Sequence, residues 1–451
     1  MKDVSMAVSN PSQQQLNLIQ RLALAFVAFG LLILFLAWSG KDLLSSLESF
    51  MISSISISTG AVLYAFAEYF GKSAGIKNNG VFFKSISSRG GLAWLLGVLL
   101  TGFYICLYWY PAYLEGLINM HDPLSFLLRG KEADQWFIYG TFYTFAVLLM
   151  GIKFLIKYRH NRYQVYRTIS VMFFQLSFAY LIPAFLVAMN QPEEYFSYFW
   201  PLDSYALRPE WTLNWKHPNT VGDIGYIIIG LGFILPFVVT PLLTYFYGKR
   251  WYCSWVCGCG GLAETAGDPF RQLSDKSLRA WKIERILIYS ILVAVTLLTL
   301  LLWVNHQMQN DLLGQFTASY KKWYGFLIAS MFSGVIGTGF YPILGNRAWC
   351  RFGCPMAAML GIIQKFRSRF RITTNGGQCI SCGNCSTYCE MGIDVRHYAQ
   401  RGQNIVRASC VGCGICAAVC PRGVLRLENS NEDINERTID LKTMHIKMDE
   451  Y

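Results

Sequence analysis

Charge is scarce in this chain. Only 15% of its 451 residues are Asp, Glu, Lys or Arg, against 53% that are apolar, whereas soluble globular proteins run near about 25% charged; a soluble enzyme is thereby excluded. The apolar runs themselves are almost free of ionisable groups, since Glu68, Glu115 and Lys153 lie near run ends. Pumps and transporters keep such groups inside their helix bundles, so a pump is excluded too. Histidine is equally rare, six in all. His121, His217 and His306 fall in outward loops or at run ends, and His160, His397 and His445 fall on the other side. No two face each other within a span, which excludes a buried bis-histidine haem.

What the chain has in quantity is long apolar runs. Eight are near the ~20 residues that a bilayer-crossing helix needs, at roughly 18 to 38, 50 to 70, 91 to 112, 135 to 157, 168 to 190, 223 to 247, 283 to 305 and 322 to 344. Ser53, Ser54, Ser56, Ser58 and Thr59 make the second the most polar. The first is too long for a secretory signal and no small-residue cleavage site follows it, so it is expected as a retained span. Gly334, Gly337 and Gly339 in the last would let helices approach closely.

Basic residues set the expected orientation. One set of loops carries Lys72, Lys77, Lys84 and Arg89, then Lys157, Arg159, Arg162 and Arg167, then Lys249, Arg250, Arg271, Lys276 and Arg279, then Arg347, Arg351 and Lys365. Lys41, Arg129, Lys131, Arg208, Lys216, Lys321 and Lys322 occupy the opposite side. Both termini are therefore expected in the cytoplasm. Basic residues at span ends act as anchors, which also accounts for much of the net charge of +12 without a nucleic-acid partner.

Cysteine carries the chemistry. Cys379-x2-Cys382-x2-Cys385-x3-Cys389 and Cys410-x2-Cys413-x2-Cys416-x3-Cys420-Pro421 each repeat the bacterial two-cluster ferredoxin spacing, in which three close thiolates bind one [4Fe-4S] cube and the fourth reaches the other. Cys379, Cys382, Cys385 and Cys420 are thus expected on one cluster, and Cys389, Cys410, Cys413 and Cys416 on its partner. Gly383, Gly412 and Gly414 suit a tight turn with amides aimed inward. Zinc is the weaker reading, because two matching four-cysteine runs exceed what zinc sites need. One departure stands out: Cys389 precedes Glu390 where the pattern has proline. By the expected topology thirteen of the fourteen cysteines lie on the cytoplasmic side, where thiols stay reduced. Cys106, alone in a span, reads as a small buried residue.

Five cysteines form a second constellation at the ends of the sixth and eighth spans. They are Cys253, Cys257 and Cys259, then Cys350 and Cys354-Pro355. If these stretches are helical, positions i and i+4 share a face and each pair offers two thiolates. Arg250-Trp251-Tyr252-Cys253 echoes Arg347-Ala348-Trp349-Cys350, as a duplicated hairpin would. A redox-active thiol pair, a further metal centre on four thiolates, and packed cysteines in helix-capping turns all fit this pattern. The aromatic rows Phe142-Tyr143, Phe173-Phe174 and Tyr195 to Trp200 fit either a quinone pocket or, the favoured reading, interfacial belts.

Two membrane-end Cys-x3-Cys elements followed by a two-cluster ferredoxin, over about residues 223 to 427, resemble the NapH/NosR-type membrane polyferredoxins. The resemblance implies a bacterial inner-membrane iron-sulfur protein. It would pass electrons between a quinone or cytoplasmic donor and a respiratory complex, other redox proteins or a maturation client. The chain departs from the pattern at Cys257, followed by Gly258-Cys259 where the family usually has proline, and the first five spans match nothing in it.

The expected architecture is an α-helical polytopic membrane protein of about eight transmembrane helices with a C-terminal α+β two-cluster ferredoxin-like domain. Its divisions are residues 1–222 with about five spans, 223–371 with the paired Cys-x3-Cys elements, 372–427 with the clusters, and a charged tail at 428–451. Arg396, Arg401, Arg407 and Arg422 near the clusters should raise their potentials and steer an acidic donor.

Overall fold

The computed structural model describes residues 16–41, 44–70, 87–214, 224–308 and 311–429. Lys72, Lys77 and Lys84, together with Lys216, His217, His445 and nearly all of the expected tail, lie outside these residues.

Apolar runs fold as helices because, away from water, a helix satisfies every backbone N–H and C=O within its own segment. Among the described residues seven helices are long and apolar enough to cross a membrane: Leu18–Trp38, Ser46–Tyr69, Gly91–Trp109, Gln135–Tyr158, Arg162–Ala188, Gly225–Tyr247 and Leu278–Met308. The segment expected as an eighth is helical through Asp311–Tyr324 and Gly325–Ile336. Lys321, Lys322 and interspersed Ser and Gly leave it less apolar than the other seven. Leu22, Val98, Leu99, Ile227, Val238 and Ile286 point outward from these helices, each more than half exposed, so the bundle presents hydrocarbon to its surroundings.

The serine-rich second run is a full helix despite its composition. Ser45 and Glu48 close a capping box at its start, with the Glu48 N–H donating to Ser45 Oγ at 3.3 Å and the Ser45 N–H to Glu48 Oε2 at 3.0 Å. Its small residues also let it lie against the first helix. A Cβ on Gly60 would stand 2.5 Å from the Ala23 carbonyl oxygen and 2.7 Å from Val27 Cγ2, so only glycine allows this approach.

Residues 371–428 form the second architectural unit. Strand Arg371–Thr374 pairs antiparallel with Leu425–Glu428, Arg371 opposite Glu428 and Thr374 opposite Leu425, which brings the two ends of the region together. Between them lie the short helices Asn384–Thr387, Val395–Gln400 and Ile415–Ala418. One hydrophobic core runs through both units, joining Tyr252, Trp349, Met356 and Leu360 of the helical part to Ile372, Met391, Ile393 and Val411.

Several expected anchors prove to be interior residues. Arg167, Lys249, Arg271, Arg347 and Arg351 are each no more than 2% exposed; the cysteine-bearing region supplies buried partners to the first four, and Glu284 pairs with Arg351.

Leucine at Gly60 is expected to push the first two helices apart and to cost about 1–3 kcal/mol. Thermal unfolding in detergent micelles checks this, with Gly91→Ala, which meets nothing within 4 Å, as the unchanged control.

Candidate iron-sulfur site

Both four-cysteine runs fold alike, and backbone handedness is the reason. Ser381 and Gly412 occupy equivalent positions with φ of 59° and 63°, and Gly383 and Gly414 follow with φ of 81° and 75°. Two left-handed residues per run curl the chain around a point. Gly383 and Gly414 then start the short helices that present Cys385 and Cys416. Cys379, Cys382, Cys385 and Cys420 line one pocket. Cys416 interacts with Cys413, Cys410 and Cys389 and, across the gap, with Cys385.

The sets differ in their surroundings. Cys382 is exposed, and Arg396, Arg401, Arg422 and Arg426 are exposed on the same region. The inner run, by contrast, is fastened carbonyl by carbonyl to the helical part. Gln364 Nε2 donates to the carbonyl oxygens of Arg407 and Cys410 at 2.7 and 2.8 Å. Lys249 Nζ donates to Ala408 at 2.9 Å, Ser254 Oγ to Val411 at 2.8 Å and Tyr163 Oη to Gly412 at 2.8 Å. Gln164 and Arg167 both donate to the Cys413 carbonyl, at 2.9 and 2.7 Å. With its carbonyls held outward, the turn aims amides inward, and the Gly412 N–H bonds the Cys410 sulfur.

The five remaining cysteines converge from two segments beside this inner run. The pairs do not share continuous helices, which corrects the expectation from i, i+4 spacing. Arg250–Cys253 and Ala348–Phe352 are single turns that break off, and Cys257 and Cys354 then stand at the N-termini of Gly258–Thr265 and Pro355–Arg367. Cys354 Sγ accepts the Ala357 N–H at 3.4 Å, so it caps the helix, whose N-terminal dipole end favours a thiolate. Gly248 and Gly345, at φ of 67° and 91°, precede the two turns at matching positions, extending the echo between the segments. Cys253, Cys257, Cys350 and Cys354 are buried together in one core cluster and interact with one another. Burial pushes the Cys253 thiol up to about 12 although Lys249 opposes it. A hydrogen bond from Cys259 lowers the Cys257 thiol. Among the described residues no three cysteine sulfurs lie mutually within 4.8 Å, whereas thiolates around one zinc, at about 2.3 Å from the metal, would be about 3.8 Å apart.

Behind the cysteines lies a buried ion network. Glu390 accepts Arg271 Nη1 at 2.6 Å, Arg347 Nε at 3.0 Å and Asn346 Nδ2 at 3.2 Å, and Glu264 accepts Arg347 Nη2 at 2.6 Å and pairs with Arg167 Nη1 at 2.8 Å. Arg271 continues to Asp268, which also pairs with Lys157. Burial works to raise the Glu390 carboxyl, but Arg347, Arg271 and Arg167 overrule it and hold the group at about 2. Glu264, Glu390 and Cys413 offer ligand atoms within 4.8 Å of one another, yet the guanidinium groups already engage both carboxylates. Glu390 is thus the residue that displaces the usual proline after the fourth cysteine.

Comparison with known proteins bears on both constellations. A 4Fe-4S dicluster domain model matches residues 378–425, and a 4Fe-4S binding domain model matches twice, at 229–277 and 325–373. The chain is a ferredoxin-type protein with membrane-competent helices. Its curated relatives include YccM of Escherichia coli K12, named for electron transport, 26% identical over 191 residues that cover 41% of this chain and 52% of YccM. The methylamine utilization ferredoxin-type protein MauN of Methylobacillus flagellatus is 25% identical over 159 residues, 34% of this chain and 52% of MauN. The chain thus spans about half the length of the curated relatives it matches, and no solved structure matches it. The twofold match at the paired segments agrees with the duplicated hairpin.

Two features of this ferredoxin-type site escape the sequence. The first is the ion network, since a buried arginine and an anchoring one look alike in sequence. The second is the stretch from Tyr195 to Trp200, expected as an interfacial belt. Part of it turns inward: Phe199 is 6% exposed and packs on Tyr252 at 5.4 Å, and Tyr252 Oη donates to the Ser197 carbonyl at 2.7 Å, while Tyr195 and Tyr198 stay exposed as a belt requires. The rest of the aromatic set is mixed, with Phe173 exposed and Phe142 packed against His121. Cys106 is a half-buried packing residue away from both cysteine constellations. Replacing Glu390 with alanine leaves Arg271 and Arg347 short of a buried counter-charge and should cost about 3–5 kcal/mol. Hydrogen exchange should then show lost protection across residues 372–429, while Arg396→Ala on the surface should leave it intact.

Proposed function

We propose that this chain is a membrane-bound electron-transfer protein. It would carry two [4Fe-4S] clusters, one on Cys379, Cys382, Cys385 and Cys420 and one on Cys389, Cys410, Cys413 and Cys416. A third iron-sulfur centre would sit on Cys253, Cys257, Cys350 and Cys354. The observation that carries this reading is the unbroken succession of cysteine sets from exposed Cys382, through the fastened inner run, to the buried set over the helix ends. Such clusters take up and release single electrons, with potentials tuned by charge, burial and hydrogen bonds to sulfur.

The chain's own residues do the rest. Arg396, Arg401 and Arg422 around the exposed set offer a docking face for an acidic one-electron donor. The carbonyl ties hold the inner set at a fixed distance from the helical part. Positive loops on the ferredoxin side favour an inner-membrane protein with both termini and the clusters in the cytoplasm, with the 311–336 segment as an eighth span. The terminal partner is a quinone or a redox protein within the membrane.

One observation favours a second reading. Cys257 and Cys259 stand two positions apart at the start of Gly258–Thr265, where the helix N-terminus favours a thiolate, as a reactive dithiol needs. In that reading the pair reduces a metalloenzyme client and the clusters supply its electrons.

Iron and acid-labile sulfide per chain in anaerobically purified protein separate the two. About twelve irons support the three-centre reading, and about eight, with Cys257→Ser abolishing thiol reactivity, support the dithiol. In the three-centre case Cys350→Ser should bring iron down from about twelve to about eight per chain. Cys416→Ser should remove the inner cluster selectively. Unchanged iron in Cys416→Ser would sink the cluster assignment.

A further inference from the structure

Lys249 is a buried cation whose partner set does not balance its charge. It is 1% exposed, and its Nζ donates to the neutral carbonyl of Ala408, two residues before Cys410, at 2.9 Å. Among the described residues no carboxylate pairs with it. Removing an ammonium from water carries a large penalty unless a counter-charge meets it. The neighbouring cations differ in this respect. Arg347 is matched by Glu264 and Glu390, and Arg271 by Glu390 and Asp268.

Its position explains what the charge is for. The Lys249 carbonyl accepts the Cys253 N–H at 3.0 Å, and its N–H donates to Gln364 Oε1 at 2.7 Å, while Gln364 Nε2 holds the Cys410 carbonyl. Lys249 therefore stands between the set that contains Cys253 and the set that contains Cys410. Four thiolates around a [4Fe-4S] core leave a net negative charge, which grows when the centre gains an electron. A fixed cation beside it stabilises the reduced form.

We propose that Lys249 is the shared counter-cation of the two inner centres and holds both of their potentials above the values they would have without it. This rests on the three-centre reading above for the Cys253 set, and only on the ferredoxin reading for the Cys410 set. Each centre takes up one electron from a one-electron reductant, and no bond to the chain forms or breaks.

The test is an EPR-monitored redox titration of the full-length protein with dithionite, comparing wild type, Lys249→Met and Lys249→Arg. Signals are assigned with Cys382→Ser for the exposed set and Cys253→Ser for the buried one. In Lys249→Met the reduced-to-oxidised ratio at fixed potential should fall about tenfold at both inner centres, a shift of about 59 mV for a one-electron couple. The exposed centre should not move, and Lys249→Arg should keep wild-type values. Unmoved inner potentials, or an equal shift at all three centres, would overturn the proposal. If Lys249→Met fails to retain iron, Lys249→Arg decides: wild-type potentials support the counter-cation role, and a tenfold shift refutes it. Should wild type hold only about eight irons, the three-centre reading fails by itself, and the Cys410 centre still decides the role of Lys249.

Discussion

Two buried carboxylates hold this molecule together. Glu264 comes from the helical part and Glu390 from the cysteine-rich region, and Arg347 binds both while Arg167 and Arg271 complete the set. Each charge is tolerable only because the others are present, since breaking a buried pair strands a desolvated ion. The arrangement therefore demands that the two regions be docked. Everything that concerns electron flow, including the closeness of the cysteine sets and the burial of Lys249, follows from that docking.

The docking also breaks the symmetry of the two ferredoxin runs. Their backbones are near copies, down to the left-handed residues Ser381 and Gly412. Yet one run faces solvent and arginines, while the other exchanges six hydrogen-bonded carbonyls with helix side chains. Similar local sequence thus acquires two environments, and environment is what separates cluster potentials.

Much of this was legible from residue order. Cysteine spacing is a short-range geometric constraint, and it pointed to 4Fe-4S binding in the region that a dicluster domain model matches. Span-length apolar runs are a composition signal, and seven of them are helices of membrane length. Cys354-Pro355 had the form of a cap followed by a first-turn proline, so the helix break there was readable, though the i, i+4 pattern drew attention away from it. The roles of Arg167, Arg271 and Arg347 were not readable, because positive residues at span ends serve equally as lipid anchors and as buried partners. Only the three-dimensional neighbour distinguishes the two. Glu390 was visible as a departure from the ferredoxin pattern, but its meaning required Arg271, 119 positions away. The inward turn of Phe199 was hidden for the same reason, since Tyr252 lies in a distant segment.

The carbonyl ties along residues 407–413 have one more consequence. A carrier domain on a flexible tether delivers charge at a rate set by its swing and therefore by solvent viscosity. Here the inner turn is fixed rigidly to the fifth long helix and to the segments around Lys249 and Gln364, so its separation from the buried cysteines is a constant of the fold. In the electron-transfer reading proposed above, the joint is soldered, and no domain swing is left to limit the rate.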